Sequence, residues 1–189
     1  MIYRISRSIV RFFLAVLFRL KASGTENVPA TGAVILCANH ISNLDPPVLA
    51  APLNRKVYFM AKVELFKNPI FSRLITYYGA FPVNRGGVSK SSIRKALELL
   101  EEQQVICIFP EGTRRGGTGK KGAASLALRS GAVVIPVHLK GSYRLFRPFH
   151  VIYGKPVDLS EFADDESPDR LDKATEKIMA AIRNAGEEV

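Results

Sequence analysis

The chain contains an apolar run, Ala33-Val34-Ile35-Leu36-Cys37-Ala38, which is followed directly by Asn39-His40-Ile41-Ser42-Asn43-Leu44-Asp45. An apolar run without alternation predicts a strand that is buried on both faces. The chain then turns polar, and two prolines follow. In α/β proteins, ligands and reacting groups gather at the carboxyl ends of such strands. The stretch therefore predicts a buried strand that delivers a histidine to a turn at its carboxyl end.

His40 and Asp45 are spaced so that a carboxylate within one turn can orient an imidazole, if the loop folds back. Imidazole can take up a proton near neutral pH, so His40 is a candidate general base. Ser42 and Asn43 are the polar candidates beside it, which suggests that the activated hydroxyl belongs to a substrate. Alternatively, His40 and Asp45 only cap a turn or a helix start, since Asp before Pro suits a helix N-terminus.

Length and composition favour one globular domain. The chain has 189 residues, 47% of them hydrophobic, which is enough for a real core. Both cysteines, Cys37 and Cys107, lie in apolar strand-like runs. They are predicted to be core thiols of a reducing compartment rather than a disulfide or metal pair. The three histidines and two cysteines show no metal-ligand spacing, so no metal is expected.

The net charge of +10 is unevenly distributed. Residues 158–189 carry ten acidic and four basic side chains, whereas residues 1–157 carry seven acidic and 23 basic ones. A basic body indicates phosphate-bearing partners, such as nucleic acid, anionic lipid or phosphorylated metabolites. Nucleic acid is the weakest of these, because no recognition motif and no interleaving of aromatic and basic residues is present.

Residues 1–23 are predicted to form a basic amphipathic helix that associates with a membrane, ahead of a catalytic domain over 24–189. Residues 1–21 contain five bases and no acid, and the apolar run Phe12–Phe18 is far shorter than the ~20 residues that span a bilayer. A signal peptide is not expected, because Arg19 and Lys21 follow the apolar run without a small-residue cleavage site. A helix lying in the membrane interface fits best. The alternative is a helix that packs its apolar face on the protein's own core.

The rest of the chain alternates predicted strands and helices. This alternation predicts a single α/β domain with a mixed, mostly parallel sheet flanked by helices. The predicted helices cover 46–53, 63–78 with a break at Pro69, 89–103, 123–129 and 168–184. The predicted strands after the first cover 57–61, 80–83, 105–109, 133–139 and 149–153.

Polar groups follow three of the predicted strands: His40 with Asp45, Arg85, and Glu111 with Arg114. Buried strands aligned in one sheet would bring these ends together. The segment 114–122 contains four glycines and four bases, which suits contact with phosphate, although a solvated basic loop is the alternative. Guanidinium groups bind phosphate through paired hydrogen bonds. The candidate general base, His40, would therefore lie beside a phosphate site.

The sequence resembles the 1-acylglycerol-3-phosphate acyltransferase family, the lysophosphatidic acid acyltransferases, of the bacterial type. Four segments in order and spacing carry the resemblance: Asn39–Pro46, Gly79–Gly86, Phe109–Arg114 and Val134–Val137. It extends from about Gly24 to Leu159.

The resemblance implies a role for each candidate residue. His40 would deprotonate the free hydroxyl of the glycerol backbone, with Asp45 orienting it, and the hydroxyl would attack a fatty acyl thioester without an acyl-enzyme. The substrate phosphate would be bound by Arg85, Glu111, Gly112, Thr113, Arg114 and Lys121. Backbone N–H groups near Gly112 are a further hypothesis for holding the oxyanion.

The implied reaction moves an acyl group from acyl-CoA or acyl-carrier-protein to lysophosphatidic acid, giving phosphatidic acid in phospholipid biosynthesis, with no cofactor. The enzyme is expected as a peripheral, monotopic protein on the cytoplasmic face of the cell membrane, in contact with anionic lipid and not with nucleic acid. The alternatives are acylation of glycerol 3-phosphate or another lysophospholipid with the same dyad, and a non-catalytic module that only binds membranes.

Overall fold

The computed structural model describes residues 2–83, 90–111 and 120–187, and over these ranges strands and helices alternate as predicted. The strands are β1 (Leu20–Ser23), β2 (Val34–Ala38), β3 (Val57–Lys62), β4 (Ala80–Val83), β5 (Val105–Ile108), β6 (Val133–Gly141) and β7 (Phe149–Tyr153). The helices are α1 (Ile2–Leu17), α2 (Asp45–Ala50), α3 (Pro69–Tyr77), α4 (Lys90–Glu101), α5 (Gly122–Ser130) and α6 (Arg170–Ala185). The break predicted at Pro69 is confirmed, because a 3₁₀ turn, Val63–Phe66, precedes α3.

In the described part of the chain the strands form one sheet in the order β1-β7-β6-β2-β5-β3-β4. Neighbouring strands are parallel except β6 and β7, which pair antiparallel. The predicted fold class, a single α/β domain with a mixed, mostly parallel sheet, is therefore confirmed. The strand β2 lies between β5 and β6, and all five of its residues are buried.

Helices cover both faces of the sheet, which explains why the apolar run of β2 does not alternate. On one face Ile35 and Cys37 pack with residues of α4, α5 and α6. On the other face Leu36 packs with residues of α1 and α2, among them Leu14 and Leu49. A strand with helices on both sides has no face left for polar side chains.

The two cysteines are buried core thiols, as predicted. Cys37 belongs to the core on one face of the sheet and Cys107 to the core on the other, so the thiols are not paired. Burial raises the pKa of the Cys37 thiol to about 12 and also raises that of Cys107. Both thiols are therefore neutral at ordinary pH.

The prediction of one helix through residue 23 is wrong at its end. The helix α1 stops at Leu17, and Leu20–Ser23 form β1, which pairs with β7 from Leu20–Phe149 to Ser23–Ile152. These residues therefore belong to the sheet, not to a separate N-terminal element. No helix within the described ranges combines the length and the apolar character needed to cross a bilayer.

The strand register brings several predicted site segments to one edge of the sheet. Cys107 of β5 lies opposite both Leu36 of β2 and Phe59 of β3, and Phe59 lies opposite Ala80 of β4. Since these strands run in the same direction, the chain leaves β2, β5 and β4 at the same edge. The loop that carries His40 starts there.

Candidate active site

Asn39 fixes the start of the loop that follows β2. Its side-chain Nδ2 donates to the carbonyl of Leu139 at 3.0 Å, and its Oδ1 accepts from the N–H of Leu139 at 2.7 Å. The amide thereby satisfies both backbone groups of a β6 residue, as a neighbouring strand would. This clamp sets where His40, the next residue, leaves the sheet.

His40 and Asp45 are in contact, as their spacing predicts. Nδ1 of His40 lies 2.6 Å from Oδ2 of Asp45. The His40 side chain is 18% exposed, whereas that of Asp45 is fully buried. With Nδ1 facing the carboxylate, Nε2 is the ring nitrogen that remains to exchange a proton with a substrate.

The Asp45 carboxylate is surrounded by donors. Oδ2 also accepts from the N–H groups of Ile41 at 2.7 Å and Ser42 at 2.8 Å, and Oδ1 accepts from the hydroxyl of Tyr143 at 2.6 Å. Burial, the largest single effect, raises the pKa of Asp45, but the hydrogen bonds from His40, Ser42, Tyr143 and Ile41 together hold it below its usual value. The carboxylate is therefore ionised at neutral pH and can stabilise an imidazolium.

Asp45 also begins a helix, which was the alternative interpretation of the motif. It is the first residue of α2, with prolines next, but α2 has no side-chain cap hydrogen bond at its N-terminus. The carboxylate turns back toward the loop of His40 instead. The geometry favours an orienting role over a capping one.

Phe109 fixes the plane of the His40 ring. It follows β5 directly, and its ring stacks on the imidazole with centroids 4.2 Å apart and planes 25° apart. The half-buried Glu111 stands two residues further along the chain. The exit of β5 therefore lies against the dyad, as expected of neighbouring parallel strands.

The other predicted site residues are placed less completely. The ammonium of Lys121 forms an exposed ion pair of 2.7 Å with Asp172 of α6. The N–H of Lys120 donates to the carbonyl of Pro110 at 2.8 Å, so the chain is back beside the end of β5 just before α5 begins. Four predicted residues lie outside the described ranges: Arg85, Gly112, Thr113 and Arg114. The phosphate-binding roles of all six residues, these four with Glu111 and Lys121, stay predictions.

Sequence reasoning missed three residues that hold the dyad. Asn39 and Phe109 lie inside the quoted segments, but their roles as clamp and stacking partner were not foreseen. Tyr143 lies 98 positions from Asp45, and no local pattern points to it. The usable signal is the strand order, since β6 adjoins β2 and the chain beyond β6 must pass near the loop of His40.

In chemical terms the site is a proton acceptor with a fixed orientation. An imidazole held through Nδ1 by a buried carboxylate can take a proton at Nε2 from a hydroxyl, while the carboxylate stabilises the resulting charge. Within residues 2–83, 90–111 and 120–187, no three His, Cys, Asp or Glu side chains cluster as metal ligands would.

Comparison with known proteins gives consistent results. A family model described as Acyltransferase matches residues 19–140. The 1-acyl-sn-glycerol-3-phosphate acyltransferase of Bacillus subtilis is 29% identical over 189 residues, covering 96% of this chain and 95% of that protein. The enzyme of the same name from Streptococcus pneumoniae is 31% identical, and the match covers 82% of this chain and 61% of that protein. That from Borreliella burgdorferi is 32% identical, with 68% and 54% covered.

A solved structure is similar over nearly the whole chain. The crystal structure of the 1-acyl-sn-glycerophosphate (LPA) acyltransferase PlsC from Thermotoga maritima superimposes with a TM-score of 0.75 at 27% sequence identity. The match covers 98% of this chain and 79% of that one.

Proposed function

Since the chain belongs to the acyltransferase family, we propose that it is a 1-acylglycerol-3-phosphate O-acyltransferase. It transfers a fatty acyl group from a thioester to the free hydroxyl of lysophosphatidic acid and forms phosphatidic acid. The observation that carries the proposal is the contact of 2.6 Å between His40 and the buried carboxylate of Asp45. A module that only binds membranes has no use for an ionised carboxylate that is buried to orient a histidine.

In the proposed mechanism Nε2 of His40 removes the proton of the glycerol hydroxyl. The hydroxyl oxygen attacks the thioester carbonyl carbon, the tetrahedral intermediate collapses, and the carbon–sulfur bond breaks. The thiolate then takes the proton from the imidazolium, so the products are an ester and a free thiol. Asp45 stabilises the imidazolium while it exists. The acyl donor is acyl-CoA or acyl-carrier-protein, and the reaction as written consumes no further cofactor.

The phosphate of the acceptor is proposed to bind Arg85, Glu111, Gly112, Thr113, Arg114 and Lys121. The described neighbours of these residues support the proposal. Phe109 stacks on His40, Lys120 returns to Pro110, and β4 ends at Val83 on the edge where β2 ends. The guanidinium group of arginine forms paired hydrogen bonds with a phosphate monoester. In lysophosphatidic acid the phosphate is the group that can accept such a pair. Backbone N–H groups near Gly112 are proposed to hold the oxyanion.

The helix α1 is proposed to lie on the bilayer. One side of it is anchored: Leu14 is buried, and the Arg7 guanidinium donates to the carbonyl of Leu53. The other side exposes large apolar side chains at Ile9, Phe12, Phe13 and Val16. The helix thus packs Leu14 and Val10 on the core and leaves a second row of apolar side chains uncovered. The uncovered row supports the proposed contact with lipid.

Features next to α1 support the same orientation. The N–H of Phe146 donates to the carbonyl of Leu17 at 2.6 Å, and Leu145 and Phe146 are exposed. Arg11 and Arg19 are also exposed. Exposed apolar side chains with exposed arginines beside them suit binding to a surface of anionic lipid. We therefore propose a peripheral, monotopic enzyme. Its proposed location on the cytoplasmic face of the cell membrane follows from the resemblance to bacterial acyltransferases.

A substrate panel tests the proposed function. Purified protein is given a labelled acyl thioester, as acyl-CoA or as acyl-carrier-protein, with lysophosphatidic acid, glycerol 3-phosphate or a lysophospholipid that lacks a phosphate monoester. Phosphatidic acid is the expected product. Turnover of glycerol 3-phosphate alone would reassign the acceptor, and no product with any pair would contradict the proposal.

A further inference from the structure

Tyr143 lies just beyond β6, on the connection to β7, and reaches the site from a distant part of the chain. Its hydroxyl donates to Oδ1 of Asp45 at 2.6 Å. Its ring packs against Phe149 with centroids 4.4 Å apart, and it forms a T-shaped pair with Phe18, just after α1, with centroids 5.7 Å apart. Two aromatic neighbours from distant parts of the chain therefore fix the direction of the hydroxyl.

The two oxygens of Asp45 are held in different ways. Oδ2 is occupied by His40 and by the N–H groups of Ile41 and Ser42, which all belong to the same short loop. Oδ1 accepts from Tyr143, which lies outside this loop, on the connection between β6 and β7, and packs its ring against Phe149 of β7. A carboxylate turns readily about its last side-chain bond, because that torsion is broad. The Tyr143 hydroxyl is the donor from outside this loop, and it restrains the second oxygen and therefore the plane of the carboxylate.

We propose that Tyr143 is a positioning residue of this enzyme, which holds Asp45 in the orientation that serves His40. The inference rests on the proposed function and adds a residue to its machinery. Tyr143 does not touch the reacting atoms. It acts by fixing the geometry of the carboxylate and by withdrawing part of its negative charge through the hydrogen bond.

The hydroxyl keeps its proton throughout the working range. Burial, and then the hydrogen bond to and charge of Asp45, raise the pKa of Tyr143. Tyr143 is therefore a permanent donor and not a second base.

Loss of this donor has a defined effect on the pH profile. A carboxylate with one fewer donor attracts the imidazolium proton more strongly, so the acid limb of kcat/KM moves to higher pH. Two titratable groups of β5 and its exit belong to this region: Cys107, a neutral thiol that interacts electrostatically with Asp45, and Glu111, two residues past the stacked Phe109. Both are identical in the wild type and the variant, so a difference between the profiles reports the hydroxyl.

The test compares Tyr143→Phe with Tyr153→Phe. The first variant keeps the ring and removes the hydroxyl. The second removes another buried tyrosine hydroxyl, which donates to the carbonyl of Leu49 and has no hydrogen bond to Asp45. In Tyr143→Phe we expect kcat to fall roughly tenfold, as for one hydrogen bond to a charged group, with KM unchanged and the acid limb at higher pH. In Tyr153→Phe we expect lower thermal stability with the wild-type pH profile.

Two further measurements keep the inference separable from the proposed function. NMR follows the ring signal of His40 against pH, and the His40→Ala variant identifies that signal among the three histidines. The midpoint of the His40 titration should rise in Tyr143→Phe. This readout needs no turnover. If Tyr143→Phe does not fold, 3-fluorotyrosine at position 143 gives a second test, because it keeps the shape of the ring and its hydroxyl is a stronger donor. The acid limb of kcat/KM and the NMR midpoint of His40 should then both move to lower pH.

The outcomes are distinct. Wild-type rates, profile and ring titration in Tyr143→Phe would overturn the positioning role while leaving the acyltransferase intact. The same midpoint shift in Tyr153→Phe would also overturn it, because the effect would then be structural. A wild type without turnover, but with the NMR shift in Tyr143→Phe, would contradict the proposed function and retain the link between Tyr143 and the dyad.

Discussion

The imidazole of His40 and the carboxylate of Asp45 are 2.6 Å apart, and the carboxylate is buried while the imidazole reaches the surface. A buried charge is costly unless it is hydrogen-bonded, and this carboxylate has four donors. Half of these donors are backbone N–H groups, which cannot turn away. The arrangement gives an imidazole of fixed orientation at the edge of the sheet where β2 ends.

The low pKa of Asp45 predicts how stability depends on pH. Its folded-state pKa lies below the unfolded value, so its contribution is fully present above about pH 4 and is lost as the pH falls through the folded value. Asp45→Asn cannot titrate at this position. Urea unfolding should show the wild type more stable than the variant near pH 6, with a smaller difference near pH 3. A constant difference between the two proteins over this range would contradict the assignment.

The clamp formed by Asn39 predicts that replacing Asn39 lowers activity more than the accompanying loss of protein stability can explain. Asn39→Ala removes both hydrogen bonds to Leu139 and frees the start of the loop. We expect kcat to fall about tenfold, because two hydrogen bonds that hold the start of the His40 loop are lost. Asn68→Ala is the matched control, since Asn68 also makes two side-chain hydrogen bonds, to Ile70 and Phe71 at the start of α3. Equal activity of the two variants would remove Asn39 from the site's support.

The exposed face of α1 predicts where the protein meets lipid. Phe12→Ser with Phe13→Ser removes two exposed rings and should weaken binding to anionic vesicles on the order of a hundredfold, given the worth of burying two aromatic side chains. Ile70→Ser with Leu74→Ser is the control, because it removes two exposed apolar side chains from α3. Vesicle sedimentation compares the pairs. Weaker binding in the α3 pair alone would move the membrane contact to α3.

The proposed phosphate site predicts an effect on substrate binding. Arg85→Ala and Arg114→Ala should each raise KM for lysophosphatidic acid by about ten- to a hundredfold, as for lost hydrogen bonds to a charged group, and lower kcat less. Arg129→Ala, which removes an exposed arginine near the end of α5, should leave both constants unchanged. Initial rates against acceptor concentration give the answer. An unchanged KM in either variant would exclude that arginine from the phosphate site.

Local patterns predicted much of this molecule, because short-range physics governs those parts. The apolar run of β2 has to be buried, and five positions are few enough for Asp45 to fold back on His40. The end of α1 was missed because Leu20 continues the apolar face of a helical wheel. The chain in fact leaves the helical path at Arg19, which adopts a left-handed backbone conformation (φ 44°). The four residues of β1 are too few to show the alternation of polar and apolar side chains that marks a strand. Tyr143 was missed because its contact depends on strand order, which is a property of the whole chain.

The most direct measurement is acyl transfer from a labelled thioester to lysophosphatidic acid by the wild type, His40→Ala and His150→Ala. His150 lies on β7 and controls for the loss of a histidine as such. We expect phosphatidic acid from the wild type and from His150→Ala, and a rate lower by a factor on the order of 10² to 10⁴ in His40→Ala. A near-normal rate in His40→Ala would contradict the claim that this histidine is the base.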